Sequence, residues 1–179
     1  MWPIILLIVA AVVLIVILVV AMQPAAFKIE RSTTIAAPPA AVFVQVNDFH
    51  KWTAWSPWEG IDPQLKRTYE GPPAGVGAHY HWVGNKKVGE GMMTISESRA
   101  AELIRIKLEF LKPFKATNTA EFTFKPQGDQ TLVNWAMTGE RNFVMKAFGM
   151  MMDMEKMVGG DFEKGLAKMK SVTEAAGNR

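Results

Sequence analysis

Residues 104–110 read IRIKLEF, a strict alternation of apolar and charged side chains. Successive residues of a β-strand face opposite sides, so the four apolar side chains share one face and the three charged ones share the other. Such a strand buries one face and leaves the other in water, as strands of antiparallel sheets commonly do. The stretch therefore predicts a sheet with one covered face.

Similar strand signals recur on both sides of this stretch. The further predicted strands cover residues 28–35, 64–70, 78–83, 88–96, 119–125 and 132–138. Turn-forming residues separate them, as in Gly71-Pro72-Pro73 and Gln127-Gly128-Asp129. Two short helices are predicted, one for residues 40–46 after a pair of prolines and one for residues 50–55.

The C-terminal stretch changes to the period of a helix. Its apolar residues are spaced by three or four over residues 142–175, which predicts a single long amphipathic helix. The stripe consists of Phe143, Ala147, Met151, Met154, Val158, Phe162, Leu166, Met169 and Val172. Gly159-Gly160 lies within this stretch, where we expect it to allow a bend or the close approach of the sheet or a ligand.

The N-terminal residues 4–22 are consecutive apolar side chains without a glycine. A helix of this length measures roughly 28 Å, close to the hydrocarbon thickness of a bilayer. We therefore interpret residues 1–26 as a transmembrane anchor with a short linker. A cleaved signal peptide is the alternative, with Val19 and Ala21 as a weak cleavage site, although the start is not basic and the run is long for a signal. A buried core helix fits less well, because it normally keeps a polar stripe.

The basic residues next to this span bear on its orientation. Lys28 and Arg31 follow it, and no lysine or arginine precedes it. The positive-inside rule then leans towards a cytoplasmic domain, with Glu30 weakening the signal. We expect a single-pass protein of a bacterial inner membrane, with the side of the domain left open.

Residues 27–179 are long enough for one domain with its own core. The chain has 20 basic and 17 acidic residues, which gives a formal charge of +3. These charges are interspersed rather than gathered in a basic run, so nucleic-acid binding is not expected. There is no cysteine, which excludes disulfides in either compartment. No protein partner can be identified from the sequence.

One sheet covered by one long helix is an α+β architecture. Residues 47–58 read NDFHKWTAWSPW, and with the order of elements they resemble the START/Bet v 1-like superfamily, also called SRPBCC. The join Ile35-Ala36-Ala37-Pro38 and the stretches Gly75-Val76-Gly77-Ala78 and Tyr80-His81-Trp82 are similar to its bacterial polyketide cyclase/dehydrase-type branch. The resemblance implies a helix-grip fold, a curved antiparallel sheet around a long C-terminal helix. The transmembrane helix that we expect before it is not part of the family's basic pattern.

Members of this superfamily hold lipids, sterols or polyketides in a mainly apolar cavity between sheet and helix, and only some are enzymes. Apolar cavities of this kind use few polar groups, and methionine suits them because its side chain is flexible. The ligand-binding residues that we predict are Trp55, Trp58, Tyr80, Trp82, Ile106, Leu108, Phe122, Phe124, Trp135, Met137, Met151, Met154, Val158 and Phe162. The alternative is that they pack together as a core, since apolar periodicity indicates burial and not a cavity.

Trp52, Trp55 and Trp58 recur every three residues. Three interpretations stay open: they close the mouth of the cavity, they lie in the membrane interface, where tryptophan is favoured, or they pack a loop onto the sheet.

His79 and His81 share one face of a predicted strand. A three-histidine metal site with His50 is conceivable by residue type. We expect instead a solvent-facing pair, and we predict no metal site and no cofactor.

Signals for catalysis are weak. The chain has no cysteine nucleophile and no trusted spacing of a catalytic triad or of paired carboxylates, so no catalytic residue is predicted. Tyr80, Glu90 and Arg105 are the polar groups that we considered for the cavity.

The leading hypothesis is a membrane-anchored binding protein for a hydrophobic small molecule or lipid. A polyketide cyclase/dehydratase-like enzyme is the first alternative, and it requires a buried ionisable group with a shifted pKa facing the cavity. A membrane-tethered protein-interaction module is the second, and it requires an exposed apolar patch.

Overall fold

Seven antiparallel strands form one curved sheet in the computed structural model, which describes residues 2–150 and 153–177. The order across the sheet is β1-β7-β6-β5-β4-β3-β2. The strands are β1 (Ala26–Ile35), β2 (Lys66–Glu70), β3 (His79–Val83), β4 (Glu90–Arg99), β5 (Leu103–Lys112), β6 (Ala116–Gln127) and β7 (Gln130–Glu140). Every strand predicted from the sequence is present.

The helices lie at the two ends of the chain and between β1 and β2. They are α1 (Trp2–Met22), α2 (Pro39–Asn47), a 3-10 helix (Phe49–Ala54), α3 (Phe143–Gly149) and α4 (Met154–Gly177). Helix α4 packs on the inner face of the sheet, chiefly over β1, and α2 closes one end of that face. The predicted α+β class and the helix-grip fold are confirmed.

The prediction of one C-terminal helix over residues 142–175 is wrong, because two helices occupy this stretch. Asn142 begins α3, its side chain accepting a hydrogen bond from the Met145 amide at 2.9 Å. Asp153 begins α4 in the same way, accepting from the Lys156 amide at 3.0 Å. A side chain that satisfies free amides favours a new helix start at its own position.

The predicted stripe is accordingly buried only in its second part. Phe162, Leu166 and Met169 of α4 are buried, whereas Phe143 of α3 is 48% exposed. The pair Gly159-Gly160 lies inside α4, so the interruption occurs before it and not at it.

Helix α1 stands apart from the core. It is long and apolar enough to cross a membrane by length and composition, which a signal sequence also is. Its side chains are exposed except for Val20, so it is not a core helix. Its last turn contacts α3, where the Lys146 Nζ donates to the carbonyl of Ala21 at 3.3 Å.

Candidate functional site

The predicted ligand-binding residues lie together on the inner face of the sheet and on the side of α4 that faces it. From the sheet come Tyr80, Trp82, Ile106, Leu108, Phe122, Phe124, Trp135 and Met137, each in the inward phase of its strand. From the covering segments come Trp55, Trp58, Met154, Val158 and Phe162. Met151 lies outside the described residues.

One half of this interior is closed by aromatic rings, and we call it the packed half. The rings of Trp135 and Phe162 stack with centroids 4.0 Å apart and planes 8° apart, joining β7 directly to α4. Phe122 stacks on Trp135 from β6 at 4.9 Å, and Trp55 meets the same indole edge-on at 5.7 Å. These four side chains are at most 2% exposed. In the packed half, the predicted lining residues therefore pack against one another.

The close approach of α4 to the sheet depends on Gly165. A β-carbon there would come within 2.9 Å of both the Trp135 indole and the Pro57 ring. Such distances are essentially never seen for real side chains, so a larger residue would push α4 away from Trp135.

Two of the three regularly spaced tryptophans belong to this packed half. Trp52 donates its indole N–H to the Val46 carbonyl at 3.0 Å, and Trp55 donates to the Gln45 carbonyl at 2.9 Å. Both are buried, so the interpretation as a cavity mouth or membrane-interface residue is wrong for them and local packing is correct. Trp58 is half-buried, with its ring 5.8 Å from that of Trp135.

The other half of the interior is less tightly covered, and we call it the open half. Its apolar side chains Leu108, Phe110 and Val158 pack against the core but are only half-buried, and Met154, one turn before Val158 on α4, is half-buried as well. The open half comprises Tyr80, Trp82, Leu108, Phe110, Asn118, Met137, Met154 and Val158. It lies towards the turn between β5 and β6, away from α2.

A ladder of rings lines one wall of the open half. Tyr69 stacks on Tyr80 at 5.2 Å, Tyr80 on Trp82 at 5.8 Å, and Trp82 meets Phe110 edge-on at 6.1 Å. Trp82 lies flat over Gly91 of the next strand, where a β-carbon would overlap the indole. A glycine at this point therefore makes room for the tryptophan that forms the wall.

Tyr80 carries the strongest electrostatic perturbation of this wall. Burial of its hydroxyl, with smaller contributions from Glu59 and Tyr69, raises the pKa of Tyr80 to about 12. The phenol stays protonated throughout the physiological range and is available as a hydrogen-bond donor.

Arg67 and Glu59 are the charged residues that interact with Tyr80. They form an ion pair at the edge of the sheet, with Glu59 largely buried and Arg67 also donating to the Leu65 carbonyl at 3.1 Å. The Glu59 carboxylate raises the pKa of Arg67. This pair was not predicted from the sequence, because its only signal is one charged residue in the inward phase of a five-residue strand.

The two other polar residues considered for the cavity face outward. Glu90 binds Lys112 at 2.7 Å and lies 3.5 Å from His81, and Arg105 binds Glu121 at 2.7 Å. Their place on the outer face follows from the burial of the neighbouring Trp82 and Ile106. Of the three candidates only Tyr80 points inward.

Three buried polar atoms in the described part of the chain have no hydrogen-bond partner: Asn118 Oδ1, Trp135 Nε1 and Arg141 Nε. Asn118 is 5% exposed, and its amide lies over Gly139 of the neighbouring strand. Buried polar groups usually have partners, so an unpaired acceptor in the open half is a feature that a bound molecule with a donor would satisfy.

An ion-pair cluster ties α4 to β1. The guanidinium of Arg31 donates from Nε to Glu163 at 2.6 Å and from Nη1 to Glu155 at 2.7 Å. It passes over Gly159, where a β-carbon would overlap Nη2. The expected close approach at Gly159-Gly160 therefore occurs, with an arginine side chain as the approaching group.

The histidines do not form a metal site in the described residues. His79 and His81 lie on the outer face, as expected, with His79 Nδ1 2.8 Å from Thr94 Oγ1. His50 stacks on Tyr69 at 4.1 Å, and no group of three or more metal-ligating side chains occurs in residues 2–150 and 153–177.

His50 and His79 instead border a shallow hollow of about 200 Å³ at the far end of β2 and β3. Its lining residues are Phe49, His50, Tyr69, Glu70, Gly71, Pro72, Pro73, Ala78 and His79. The proximity of these two histidines was not predicted from the sequence.

The family of the chain follows from a sequence profile. The profile of the family described as polyketide cyclase / dehydrase and lipid transport matches residues 26–174. The chain belongs to this family, and the resemblance to the START/Bet v 1-like superfamily is confirmed. No curated protein matches the sequence.

Solved structures share the fold at low sequence identity. Protein SA2116 of Staphylococcus aureus, of unknown function, is 10% identical with a TM-score of 0.66 over 88% of this chain and 99% of its own. Mll3558 of Rhizobium loti is 16% identical, with a TM-score of 0.61 over 82% and 99%. DynU16, from the dynemicin biosynthetic locus, is 11% identical with a TM-score of 0.57 over 83% of this chain and 48% of its own. These likenesses establish the fold alone.

Proposed function

We propose that this protein is a membrane-anchored binding protein that holds a hydrophobic small molecule or lipid between the open half of the sheet and α4. The observation that carries the proposal is the difference in burial along one inner face. Trp135 and Phe162 close the packed half completely, whereas Leu108 and Val158 face inward and stay half-buried. Apolar side chains in such a position are satisfied by an apolar occupant.

Two features of the open half suit an amphipathic molecule. Its walls are mostly aromatic and aliphatic, and its polar groups are few: the Tyr80 hydroxyl and the unpaired Oδ1 of Asn118. A few placed polar groups in an apolar cavity orient a ligand without binding it strongly by themselves.

The retained anchor is supported by contacts that a cleaved signal would lose. Val20 is 3% exposed, and Lys146 donates to the Ala21 carbonyl. A lysine at the carbonyl end of a helix is also electrostatically favourable. Residues 4–22 would then hold the domain at a bacterial inner membrane, and Lys28 and Arg31, the basic residues nearest to them, favour the cytoplasmic side.

A cyclase/dehydratase-type enzyme is the second candidate, and Tyr80 favours it. This buried phenol faces the open half with its pKa raised to about 12, and Arg67 lies close enough to oppose that rise. A phenol with so high a pKa is a weak proton donor near neutral pH, but it donates a hydrogen bond that polarises a substrate oxygen. The two candidates differ in whether the bound molecule is changed.

Native mass spectrometry of the full chain, released from its own membranes in mild detergent, tests both. Binding predicts a reproducible hydrophobic adduct that can be extracted and identified. The same spectrum reports whether residues 1–22 are retained. An apo mass, with no uptake from a lipid mixture, would contradict the binding proposal.

Comparison of the adducts on the wild type and on Tyr80→Phe separates the carrier from the enzyme. A carrier yields the same molecule on both proteins, at lower occupancy on the variant. An enzyme yields two molecules related by loss of water or by ring closure, because the variant retains unconverted substrate.

A further inference from the structure

The strand register brings several segments to one end of the sheet, which we call the proximal end. Ala26 at the start of β1 pairs with Glu140 at the end of β7. Phe110 near the end of β5 pairs with Ala116 at the start of β6, which places the β5–β6 turn at this same end. Helix α1 leads into β1 and α3 follows β7, so both lie here as well.

Large apolar side chains are exposed at the proximal end. We define the α3 patch as Phe114 of the β5–β6 turn with Phe143, Val144, Phe148 and Met150, each 48–57% exposed. The rings of Phe114 and Phe148 are 6.4 Å apart, so the turn and the helix form one surface. Single exposed apolar residues are ordinary, but a contiguous group indicates an interaction surface.

The α3 patch is continuous with the end of α1. Lys146 of α3 donates to the Ala21 carbonyl, and Arg141 just before α3 donates its amide to the Ala25 carbonyl at 2.8 Å. The exposed apolar surface of α1 therefore runs into that of α3. If α1 lies in a bilayer, the patch is held at the level where the bilayer meets water.

Basic side chains outnumber acidic ones at the proximal end of the sheet. At the proximal end lie Lys66, Lys86, Lys87, Lys112, Lys115 and Lys146. Two glutamates, Glu90 and Glu140, lie at the same end, and Glu90 binds Lys112 at 2.7 Å. The opposite ends of the strands carry Glu70, Glu102 and Asp129 together with Arg99 and Lys125, so lysines do not predominate there. Lysines near a bilayer are attracted to anionic headgroups, so this charge distribution favours a lipid surface at the proximal end.

We propose that the α3 patch inserts into the interfacial layer of an anionic bilayer, so that the open half of the sheet faces the membrane. This inference rests on the proposed membrane anchor. The patch has the composition of an interfacial segment, with phenylalanine and valine flanked by lysine. A hydrophobic ligand would then pass between bilayer and protein without crossing water.

Fluorescent labelling of single positions tests this docking on the full chain. The chain has no cysteine, so each label needs only one substitution. Variants Phe148→Cys, Val12→Cys and Val76→Cys, labelled with an environment-sensitive dye, are placed in nanodiscs of phosphatidylcholine with or without phosphatidylglycerol. Val12 reports on the anchor, and Val76 is 58% exposed in the β2–β3 turn, away from the proximal end.

The expected result is strong quenching at position 148 by spin-labelled lipid, with protection from aqueous iodide, and the reverse at position 76. Quenching by lipid at position 12 but not at 148 would overturn docking and leave the anchor standing. Lack of quenching at both would overturn the anchor and the docking together. Protection at 148 from both quenchers would overturn docking, since protein would then cover the patch.

Charge variants test the lipid preference. Lys115→Glu lies at the proximal end, and Lys125→Glu lies towards the far end of β6 and serves as the matched control. We expect Lys115→Glu to lower the ratio of docked to undocked protein about fivefold in anionic nanodiscs. Equal effects of the two variants would overturn the role assigned to anionic lipid.

Discussion

The guanidinium of Arg31 lies over the α-carbon of Gly159, at the place where any other residue would put its β-carbon. From there it reaches Glu155 and Glu163, one turn to either side on α4. Because the arginine projects from the inner face of β1, it fixes the N-terminal half of α4 against the edge of the sheet. This is the part of α4 that covers the open half.

Substitution of the two neighbouring glycines separates helix propensity from this contact. Gly160 has open space where a side chain would go, so Gly160→Ala is expected to stabilise the protein by about 1 kcal/mol. Gly159→Ala has the same gain in helix propensity but displaces Arg31. Its net effect should therefore be a smaller stabilisation than that of Gly160→Ala, or a destabilisation. Urea unfolding of the full chain in mild detergent measures both.

A double-mutant cycle identifies the cause of the difference. In an Arg31→Ala background the displaced group is absent, and Gly159→Ala should stabilise as much as Gly160→Ala. If the two alanines still differ there by more than about 0.5 kcal/mol, Arg31 is not the reason for the glycine.

The division of the interior predicts unequal costs of truncation along α4. Phe162→Ala removes a ring stacked in the packed half and should destabilise by about 3–5 kcal/mol. Val158→Ala, one turn away in the open half, should cost roughly 1 kcal/mol, because Val158 is only half-buried. Thermal unfolding of both variants measures this, and similar costs would show that the two halves are packed alike.

Tyr80 predicts a loss of stability at alkaline pH. Its pKa is raised to about 12 in the folded protein, against about 10 in an unfolded chain, so the folded state holds the proton more tightly. The contribution of this proton to the free energy of unfolding is present in full below pH 10. It is lost as the pH rises from 10 to 12, by at most about 1.4 kcal/mol per pH unit.

The matched variant is Tyr80→Phe, which has no proton to lose. Its unfolding free energy should fall less steeply than that of the wild type between pH 10 and 12. Parallel curves for the two proteins would mean that the hydroxyl is not buried in the folded state.

Asn118 predicts opposite effects on stability and on binding. Asn118→Leu replaces a buried acceptor without a partner by an apolar group of similar shape, so the ligand-free protein should be unchanged or more stable by about 1 kcal/mol. Occupancy by a ligand that donates to Oδ1 should fall. Unfolding and adduct intensity are measured on the same preparation, and a clear destabilisation would show that the amide already has a partner.

Most of the fold could be predicted from the sequence, because the strands repeat one alternation of apolar and polar residues. The alternation of Ile104, Ile106 and Leu108 with charges identified the inner face, and the register confirms it. The break between α3 and α4 was missed because the apolar spacing runs through it. Asp153 begins α4 by accepting a hydrogen bond from a free amide, and the spacing of apolar residues contains no information about such a polar contact.

The candidate site was harder to predict from the sequence, because the spacing of apolar residues indicates burial and not free space. Trp135 and Phe162 were assigned to a ligand, but their rings stack on each other. Arg31 and Arg67 occupy inward positions of their strands, where the pattern favoured apolar residues. Exposed Phe143 and Phe148 fit a stripe that predicted burial, and only the fold placed them beside α1.

The occupancy of the open half is the central claim, and Leu108→Trp tests it most directly. The larger side chain would fill the space beside Asn118, whereas Lys107→Trp adds the same indole to the outer face of the same strand. Native mass spectrometry of the full chains compares the co-purifying hydrophobic adduct. The account predicts an adduct on the wild type and on Lys107→Trp, and at least a tenfold loss on Leu108→Trp at unchanged stability. Equal occupancy on both variants, or no adduct on the wild type, would contradict it.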